Sequence, residues 1–142
     1  MSKKTKTGFK LVLIDTTPLY SLGDRQDANH AQALAVFGRM AAEGNVLANT
    51  PTPVAFELHR LRLYRKPFEP GVALNELKQV LKRFPIIDPE PQDLTLALEE
   101  MARFPDQRIT LADAVTACMA RRLGARVLTF DRHFALLGAD LV

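Results

Sequence analysis

RITLADAVTACMARRLGARVLTFDRHF, residues 108–134, predicts a helix and a buried strand in succession. Thr110 opens the helix, and Gly124 ends it as a left-handed cap. Between them one apolar stripe recurs at helical spacing, formed by Leu111, Ala114, Val115, Cys118 and Met119. Residues 126–130 then form a short apolar strand, with Asp131 just beyond its end. A helix that leads into a buried strand indicates a parallel sheet, whose ligands bind beyond the carboxyl ends of the strands.

The composition is that of one globular domain. The chain has 142 residues, of which 47% are hydrophobic and 25% charged, enough to bury about two-thirds of its unfolded surface. No apolar run approaches the roughly 20 residues of a membrane span. The amino terminus also lacks the apolar segment of a secretory signal, so we expect a cytoplasmic protein. The single cysteine, Cys118, excludes an intrachain disulfide and is expected to be a buried structural thiol.

The net charge of +3 comes from the amino terminus. Residues 1–10 contain four lysines and no acid, which leaves −1 for the remainder of the chain. We therefore predict a basic, flexible tail at residues 1–9 and a single domain at residues 10–142. The tail could touch phosphates, but the folded body is not a basic nucleic-acid-binding surface.

Strands and helices alternate along the rest of the chain. Strands are predicted at residues 11–14, 45–48 and 85–88, with a further edge strand at 140–142. This alternation predicts an α/β fold with a central parallel sheet between layers of helices, a three-layer α/β/α sandwich.

The predicted helix starts rest on capping residues. Thr17 with Pro18 is expected to start the first helix. Asp27 is expected to cap a second helix that reaches Ala42 and stops at Gly44. Residues 50–53 start a third helix, which places Glu57 one turn inside it. A break at residues 67–71 precedes a fourth helix, and a fifth covers residues 92–104.

Four acids follow strand ends or begin the next helix: Asp15, Glu57, Asp113 and Asp131. Four carboxylates at one edge of a sheet repel one another and resist burial unless a cation neutralises them. With no set of cysteines or histidines nearby, the oxygen-liganded ions Mg²⁺ and Mn²⁺ fit best. Such an ion activates water and neutralises charge on a phosphodiester. The sequence therefore predicts a metal-dependent hydrolase site.

Structural explanations compete with this interpretation. A lone Asp15 would simply cap a helix, and Thr110 with Asp113 is a capping box in its own right. His30 is expected to be a surface or packing residue. Asp15 is similar to the first acid of haloacid-dehalogenase phosphatases, but Thr17 stands where those enzymes need a second aspartate. The acidic pair of a receiver domain, GxGxxG and a P-loop are all absent from the sequence.

In order, the motifs resemble those of PIN-domain nucleases, most closely the VapC toxins of prokaryotic toxin–antitoxin pairs. They are Leu-Ile-Asp15-Thr-Thr, His30, Pro-Val-Ala-Phe-Glu57-Leu, Ile-Thr-Leu-Ala-Asp113-Ala and Val-Leu-Thr-Phe-Asp131-Arg-His-Phe134. The resemblance covers the chain from about Lys10 to Gly138. Its main departure is the lysine-rich tail.

The resemblance implies a Mg²⁺-dependent endoribonuclease selective for single strands and inhibited by a small cognate antitoxin. Asp15 and Asp113 would be the principal metal ligands, completed by Glu57 and Asp131. Three threonines match positions that orient the acids or a water: Thr16, Thr17 and Thr129. The alternatives are a PIN-fold scaffold that binds RNA or a partner without cutting, and a metal-dependent phosphatase.

The third helix carries two further predictions. It is apolar on two sides, with Val54, Leu58 and Leu61 on one and Phe56 and Leu63 on the other. We expect the first side to pack on the sheet and Phe56 or Leu63 to lie near a homodimer contact. The alternative is that the fourth helix of the same chain covers the second side. Its basic residues are candidates for binding RNA phosphates: Arg60, Arg62 and Arg65.

Overall fold

The computed structural model describes residues 8–65 and 69–142. Four strands are found there: β1 (Lys10–Ile14), β2 (Val46–Pro51), β3 (Ile86–Ile87) and β4 (Arg126–Leu128). They pair in parallel in the order β3-β2-β1-β4. The predicted α/β fold with a central parallel sheet is confirmed.

Seven helices connect and cover these strands within the described ranges. They are α1 (Thr16–Leu22), α2 (His30–Glu43), α3 (Thr52–Arg65), α4 (Pro70–Arg83), α5 (Pro91–Ala102), α6 (Leu111–Leu123) and α7 (His133–Leu136). None of them combines the length and the apolar character of a membrane-spanning segment.

Strand β1 separates two hydrophobic cores. Leu13 belongs to the core built mainly from α5, α6 and α7, where Phe134 is fully buried. Val12 and Ile14 belong to the opposite core, which contains Phe37 of α2. Successive side chains of a strand point to opposite faces of the sheet. The continuous apolar run of β1 is therefore buried on both sides, as a central parallel strand requires.

The first helix begins earlier than predicted. Thr16 is already helical and Asp15 occupies the cap position, without a side-chain capping bond. The prediction that Thr17 caps this helix was wrong, because its hydroxyl serves other partners: it donates to Asp15 and accepts the N–H of Phe130. Asp15 is consequently available for a role other than capping.

The starts of α2 and α3 also differ from the predictions. Asn29, not Asp27, occupies the cap position of α2, whereas Gly44 ends the helix as predicted, in the left-handed conformation with φ of 73°. Strand β2 extends through Thr50 because the Thr50 N–H bonds the carbonyl of Pro85. Helix α3 therefore starts at Thr52.

The carboxyl-terminal third follows the sequence prediction closely. Thr110 caps α6 by accepting the Asp113 N–H at 3.1 Å, and Gly124 ends the helix with φ of 64°. Strand β4 stops at Leu128, two residues short of its predicted end. The predicted edge strand at 140–142 is reduced to one parallel bridge between Val127 and Leu141.

Some predictions concern residues outside the described ranges. Most of the expected basic tail, residues 1–7, lies there. So do the first two residues of the predicted break, 67 and 68. Cys118 lies within the described part and is buried in the α6 core, as expected.

Candidate metal centre

Asp15 occupies the turn between β1 and α1. Its side chain is buried, and its oxygen Oδ2 accepts hydrogen bonds from the hydroxyls of Thr129, at 2.8 Å, and Thr17, at 3.2 Å. Each hydroxyl oxygen in turn accepts a backbone N–H, from Asp131 and Phe130 respectively. Because a hydroxyl has one proton, these second bonds keep that proton directed at Asp15. The two threonines therefore fix the orientation of the carboxylate.

Two further acids approach Asp15 from other helices. Asp113, in the first turn of α6, is 5% exposed, and Glu57 of α3 is half-buried. One oxygen from each of the three carboxylates lies within 4.8 Å of the other two. Three segments that are distant in the sequence thus bring their acids to one end of the sheet.

Asp131 reaches the site from the turn after β4. One ligand atom each of Asp113, Asp131 and His133 lie within 4.8 Å of one another. The Oδ1 atom of Asp131 accepts the His133 backbone N–H at 2.9 Å and lies 3.1 Å from the ring nitrogen Nδ1. Asp113 belongs to both groups, so it connects Asp131 to the acids around Asp15. We refer to the four acids as the acid cluster.

Burial and repulsion disfavour the ionised form of the acid cluster. The pKa of Asp15 is raised to about 6, chiefly by burial and further by Glu57, although hydrogen bonds from Thr129 and from the Thr16 backbone oppose the change. The pKa of Asp113 is raised to about 8 by burial, by Asp15 and by the remaining two acids. Placing ionised carboxylates in such surroundings is unfavourable unless a positive charge is present.

The donors suit a hard divalent cation. The acid cluster offers only carboxylate oxygens, the ligands that Mg²⁺ and Mn²⁺ prefer. Within the described part of the chain, no basic side chain forms an ion pair with Asp15, Glu57 or Asp113. The charge that would relieve the repulsion is therefore not supplied by a described lysine or arginine at these three acids, and the residues present fit a metal ion.

A groove of about 560 Å³ leads to the acid cluster. Its other lining residues come from α1, α3 and the start of α6: Thr17, Arg60, Leu61, Tyr64, Arg65 and Thr110. Arg60 and Arg65 are exposed, and the Arg60 guanidinium lies 5.9 Å from the centre of the Tyr64 ring. The groove thus combines a negative floor with a positive and aromatic wall.

Arg62 does not belong to that wall. Arg62 is 1% exposed, and its Nε atom lies 2.7 Å from Oε1 of Glu76 on α4. A second guanidinium nitrogen donates to the carbonyl of Tyr20 at 2.6 Å. The prediction that Arg62 contacts RNA must therefore be corrected, because this side chain joins α3 to α1 and α4 inside the protein. Counting basic residues on a helix cannot separate the buried one from the exposed ones.

Two residues of the site, His133 and Tyr64, are not among those predicted from the sequence. His133 lies two positions after Asp131, and an imidazole that close to an acid at a strand end was a usable signal. Tyr64 carried no such signal, because nothing in the sequence separates it from an ordinary surface tyrosine. Of the three predicted threonines, Thr17 and Thr129 contact the Asp15 carboxylate, whereas the hydroxyl of Thr16 has no partner among the described residues.

A family model of the PIN domain matches residues 12–139. The chain belongs to the PIN-domain family. The match begins inside β1, ends beyond α7 and includes all four residues of the acid cluster. No curated protein matches the chain significantly.

Solved structures of similar fold include one described as a toxin and two named VapBC2 and FitAcB. The VapC20 toxin of Mycobacterium tuberculosis, described as cleaving the sarcin-ricin loop, superposes with a TM-score of 0.74 at 20% identity, over 92% of this chain and 98% of that one. VapBC2 from Rickettsia felis, bound to a DNA fragment from their promoter, superposes with a TM-score of 0.69 at 15% identity, over 93% of this chain and 97% of that one. FitAcB from Neisseria gonorrhoeae superposes with a TM-score of 0.65 at 18% identity, over 92% of this chain and 95% of that one. At such identities the likeness establishes the fold.

Proposed function

We propose that this PIN domain is a metal-dependent endoribonuclease that hydrolyses RNA phosphodiester bonds. The observation that carries the proposal is the convergence of Asp15, Glu57 and Asp113 within 4.8 Å at the floor of an open groove. A purely structural protein would gain nothing from burying acids that repel one another. A dedicated cation site explains both their burial and their raised pKa values.

Asp15 and Asp113 would be the principal ligands of Mg²⁺ or Mn²⁺, with Glu57 and Asp131 completing the site. A bound divalent ion supplies an activated water and neutralises the charge that develops on the phosphate. Thr17 and Thr129 would act through Asp15, because their hydrogen bonds hold its carboxylate in one orientation.

Arg60 and Arg65 would bind the phosphates on either side of the bond that is cut. Both are exposed and both line the groove that contains the acids. Asp15 and Asp113 lie nearly fully buried at its floor, so a phosphodiester must enter the groove to reach them. A flexible single strand can bend inward more readily than a base-paired helix, which supports selectivity for single-stranded RNA.

We further propose that the chain is the toxin of a type II toxin–antitoxin pair acting in the cytoplasm. The proposal is supported by solved structures of the same fold, which include the VapC20 toxin and VapBC2 bound to a promoter DNA fragment. The small cognate antitoxin would occupy the groove and offer a cation or a bulky apolar group to the acid cluster. Coexpression with such a partner should suppress both toxicity and RNA cleavage.

The toxin is proposed to act as a homodimer that uses the exposed side of α3. Phe56 is 71% exposed, which is unusual for a large apolar side chain, and Leu63 is half-buried. Light scattering should give a dimer that Phe56→Ser weakens, whereas Leu34→Ser, on the exposed side of α2, should leave it intact. A monomer throughout the micromolar range would reject the dimer.

Cleavage of single-stranded RNA by the purified protein tests the proposed activity. We expect cleavage with Mg²⁺ or Mn²⁺, none with EDTA, and none with Asp15→Asn. The matched control is Asp106→Asn, which makes the same change at an exposed acid that does not line the groove. Cleavage that survives EDTA, or that Asp15→Asn performs normally, would overturn the metal-nuclease proposal.

The same assay separates the two competing functions. A PIN-fold scaffold predicts RNA binding without cleavage and no toxicity on expression. A metal-dependent phosphatase predicts hydrolysis of a small phosphomonoester while RNA stays intact. The nuclease proposal is preferred because all four acids are present and an open groove, rather than a closed pocket, leads to them.

A further inference from the structure

A second cavity opens beside the acid cluster, next to α1. It holds about 210 Å³, and it shares Thr17, Glu57, Leu61 and Arg65 with the groove. Its remaining lining residues are Thr16, Tyr20, Ser21, Asp27 and Asn29. We call it the α1 cavity. Because the two spaces share a wall, a chain whose phosphate sits at the acid cluster has a neighbouring group at the mouth of the α1 cavity.

The polar wall of the α1 cavity is held in place by hydrogen bonds. The Ser21 hydroxyl donates to Oδ2 of Asp27 at 2.7 Å, and the Asn29 backbone N–H donates to the same oxygen at 3.0 Å. The ring nitrogen Nδ1 of His30 lies 2.8 Å from the Ser21 carbonyl oxygen. These bonds span the loop between α1 and α2, so the wall is ordered before any ligand arrives.

Three polar groups of this wall have unused bonding capacity. Among the described residues, nothing bonds to Oδ1 of Asp27 or to the side-chain amide of Asn29. The Thr16 hydroxyl is also without a partner in that part of the chain, although Thr16 is 1% exposed. Of the three, only the Thr16 hydroxyl is buried, and buried polar groups are rarely left unpaired in folded proteins. Asp27 is half-buried and Asn29 is exposed, so a ligand in the cavity can reach their free groups by replacing solvent.

The other side of the cavity offers flat and apolar surfaces. Leu61 and Tyr20 line it, and the Arg65 guanidinium lies 5.3 Å from the centre of the Tyr20 ring. The guanidinium of Arg62 also lies over that ring, 4.1 Å from its centre. Proteins that read single-stranded RNA stack bases on aromatic rings or on arginine planes and bond their edges. The α1 cavity offers both kinds of contact: Tyr20 and Arg65 for stacking, and polar groups such as Asp27 for bonding an edge.

We propose that the α1 cavity receives one nucleobase of the RNA, next to the phosphodiester at the acid cluster, and that it favours guanine over uracil. The proposal rests on the proposed ribonuclease function and adds to it a determinant of where the RNA is cut. Guanine presents two adjacent N–H donors, N1–H and the N2 amino group, to an acceptor such as Asp27. Uracil presents one N–H between two carbonyl oxygens, which a carboxylate repels.

The charge of Asp27 supports this choice. Hydrogen bonds from Ser21 and from the Asn29 backbone hold the pKa of Asp27 below its ordinary value, so the side chain is an ionised acceptor at neutral pH. Hydrogen bonds to a charged group are stronger than those between neutral groups. An acceptor-only side chain therefore selects for the base with the greater number of donors on one edge.

Binding of mononucleotides tests the α1 cavity without any cleavage. The probes are GMP and UMP, added to the isotopically labelled full chain in EDTA while backbone amide NMR signals are followed. We expect GMP to shift the signals of Ser21, Asp27 and Asn29, and to bind about tenfold more tightly than UMP, a ratio that corresponds to 1.4 kcal/mol. Equal affinities, or shifts confined to other parts of the chain, would overturn the proposal.

Two variants and a matched control extend the test to cleavage. In a single-stranded oligouridine that contains one guanosine, the unsubstituted protein should cut at a fixed distance from the guanosine. Asp27→Asn and Asn29→Ala should each scatter the cuts, and Asn29→Ala retains the backbone N–H that anchors the wall. Asp24→Asn, in the same loop but outside the α1 cavity, should cut as before. Unchanged cut positions in both cavity variants would count against the base site.

The two proposals fail in different ways. If GMP perturbs the α1 cavity but no RNA is cut, the base site stands and the nuclease function falls. If RNA is cut without regard to guanosine and GMP binds no better than UMP, the nuclease function stands and the base site falls.

Discussion

Asp93 and Asp113 occupy the same place in neighbouring helices and behave in opposite ways. Each is the third residue of its helix, α5 for Asp93 and α6 for Asp113, and each is buried, at 0% and 5% exposure. Asp93 forms a capping box with Glu90 and accepts bonds from Arg122, the shortest at 2.8 Å. Asp113 instead faces Asp15 and other acids. A buried aspartate is thus structural or functional according to the charge that faces it.

The pKa values express the same difference. Burial raises the pKa of Asp93, but the hydrogen bonds from Arg122 and the Glu90 backbone outweigh it, so the net pKa lies below the ordinary value. At Asp113, burial and like charges act together and raise the pKa to about 8. The ion pair with Arg122 completes the charge balance of Asp93 within the protein. Asp113 has no such described partner, and this is what the proposed metal ion would provide.

The largest expected effect is the difference in RNA cleavage between substitution of Asp113 and substitution of Asp93. Asp113→Asn should reduce RNA cleavage on the order of a thousandfold, because a metal ion stabilises the transition state by several kcal/mol. Asp93→Asn should leave the cleavage rate per folded molecule nearly unchanged. Single-turnover cleavage of one RNA by both variants, at matched folded concentration, measures the comparison. Similar losses in the two variants would show that burial at this position, and not metal binding, limits activity.

The second effect is the pH dependence of stability in the metal-free protein. Raised pKa values of Asp15 and Asp113 mean that the fold favours their neutral forms, so their contribution to stability is complete at low pH and declines as pH rises through about 6 and then about 8. Between about pH 6 and about pH 8.5 the loss should be on the order of 3 kcal/mol. Urea unfolding in EDTA at both values measures it.

Asp113→Asn serves as the control for that experiment. It removes the higher-titrating acid and relieves its repulsion of Asp15, so stability should depend less on pH and should be higher than normal at the alkaline end. Stability that rises with pH over this range in the unsubstituted protein would contradict the repulsive cluster.

The third effect concerns stability, where substitution of Asp93 is expected to be the harmful one. Asp93→Asn should destabilise the protein by roughly 2 kcal/mol, less than the loss of a fully buried ion pair, because Arg122 is partly exposed. Arg122→Gln should cost a similar amount, and the double substitution less than the sum of the two. Urea unfolding near neutral pH gives all three values. Additive losses would mean that the pair makes no specific contribution.

The carboxyl-terminal third was the easiest part of the fold to predict. Its signals are local: a threonine cap, an apolar stripe and a glycine at the left-handed position of Gly124. The starts of α1 and α3 were predicted less well, because tertiary bonds decided them. The sequence predicts a cap at Thr17, but this residue bonds Asp15 and Phe130. It predicts a helix start at Thr50, but this residue pairs with the loop before β3.

The part of the candidate site that sheet topology determines could be predicted from the sequence. Acids that follow parallel strands must meet at one edge, which is why Asp15 and Asp131 could be grouped from their positions alone. Which side of a helix faces the sheet is not dictated in this way. Arg62 lies three residues before the end of α3 among other basic residues, and only the packing of α4 reveals that it is buried against Glu76.

The smallest expected effect is the stabilisation of the protein by the metal itself. An ion that binds only the folded state stabilises it by about 1.4 kcal/mol when its free concentration is tenfold above its Kd. Mn²⁺ should therefore raise the melting temperature of the unsubstituted protein and of Asp93→Asn by equal increments, since Asp93 lies outside the acid cluster. Asp113→Asn should show no increment, although its melting temperature in EDTA should be the highest of the three at alkaline pH. Thermal unfolding with and without Mn²⁺ tests this without any cleavage. An equal shift in all three proteins would place the ion elsewhere. An ion held by the acid cluster must bind more weakly when the charge of Asp113 is removed, so an ion that binds all three proteins equally is not held there.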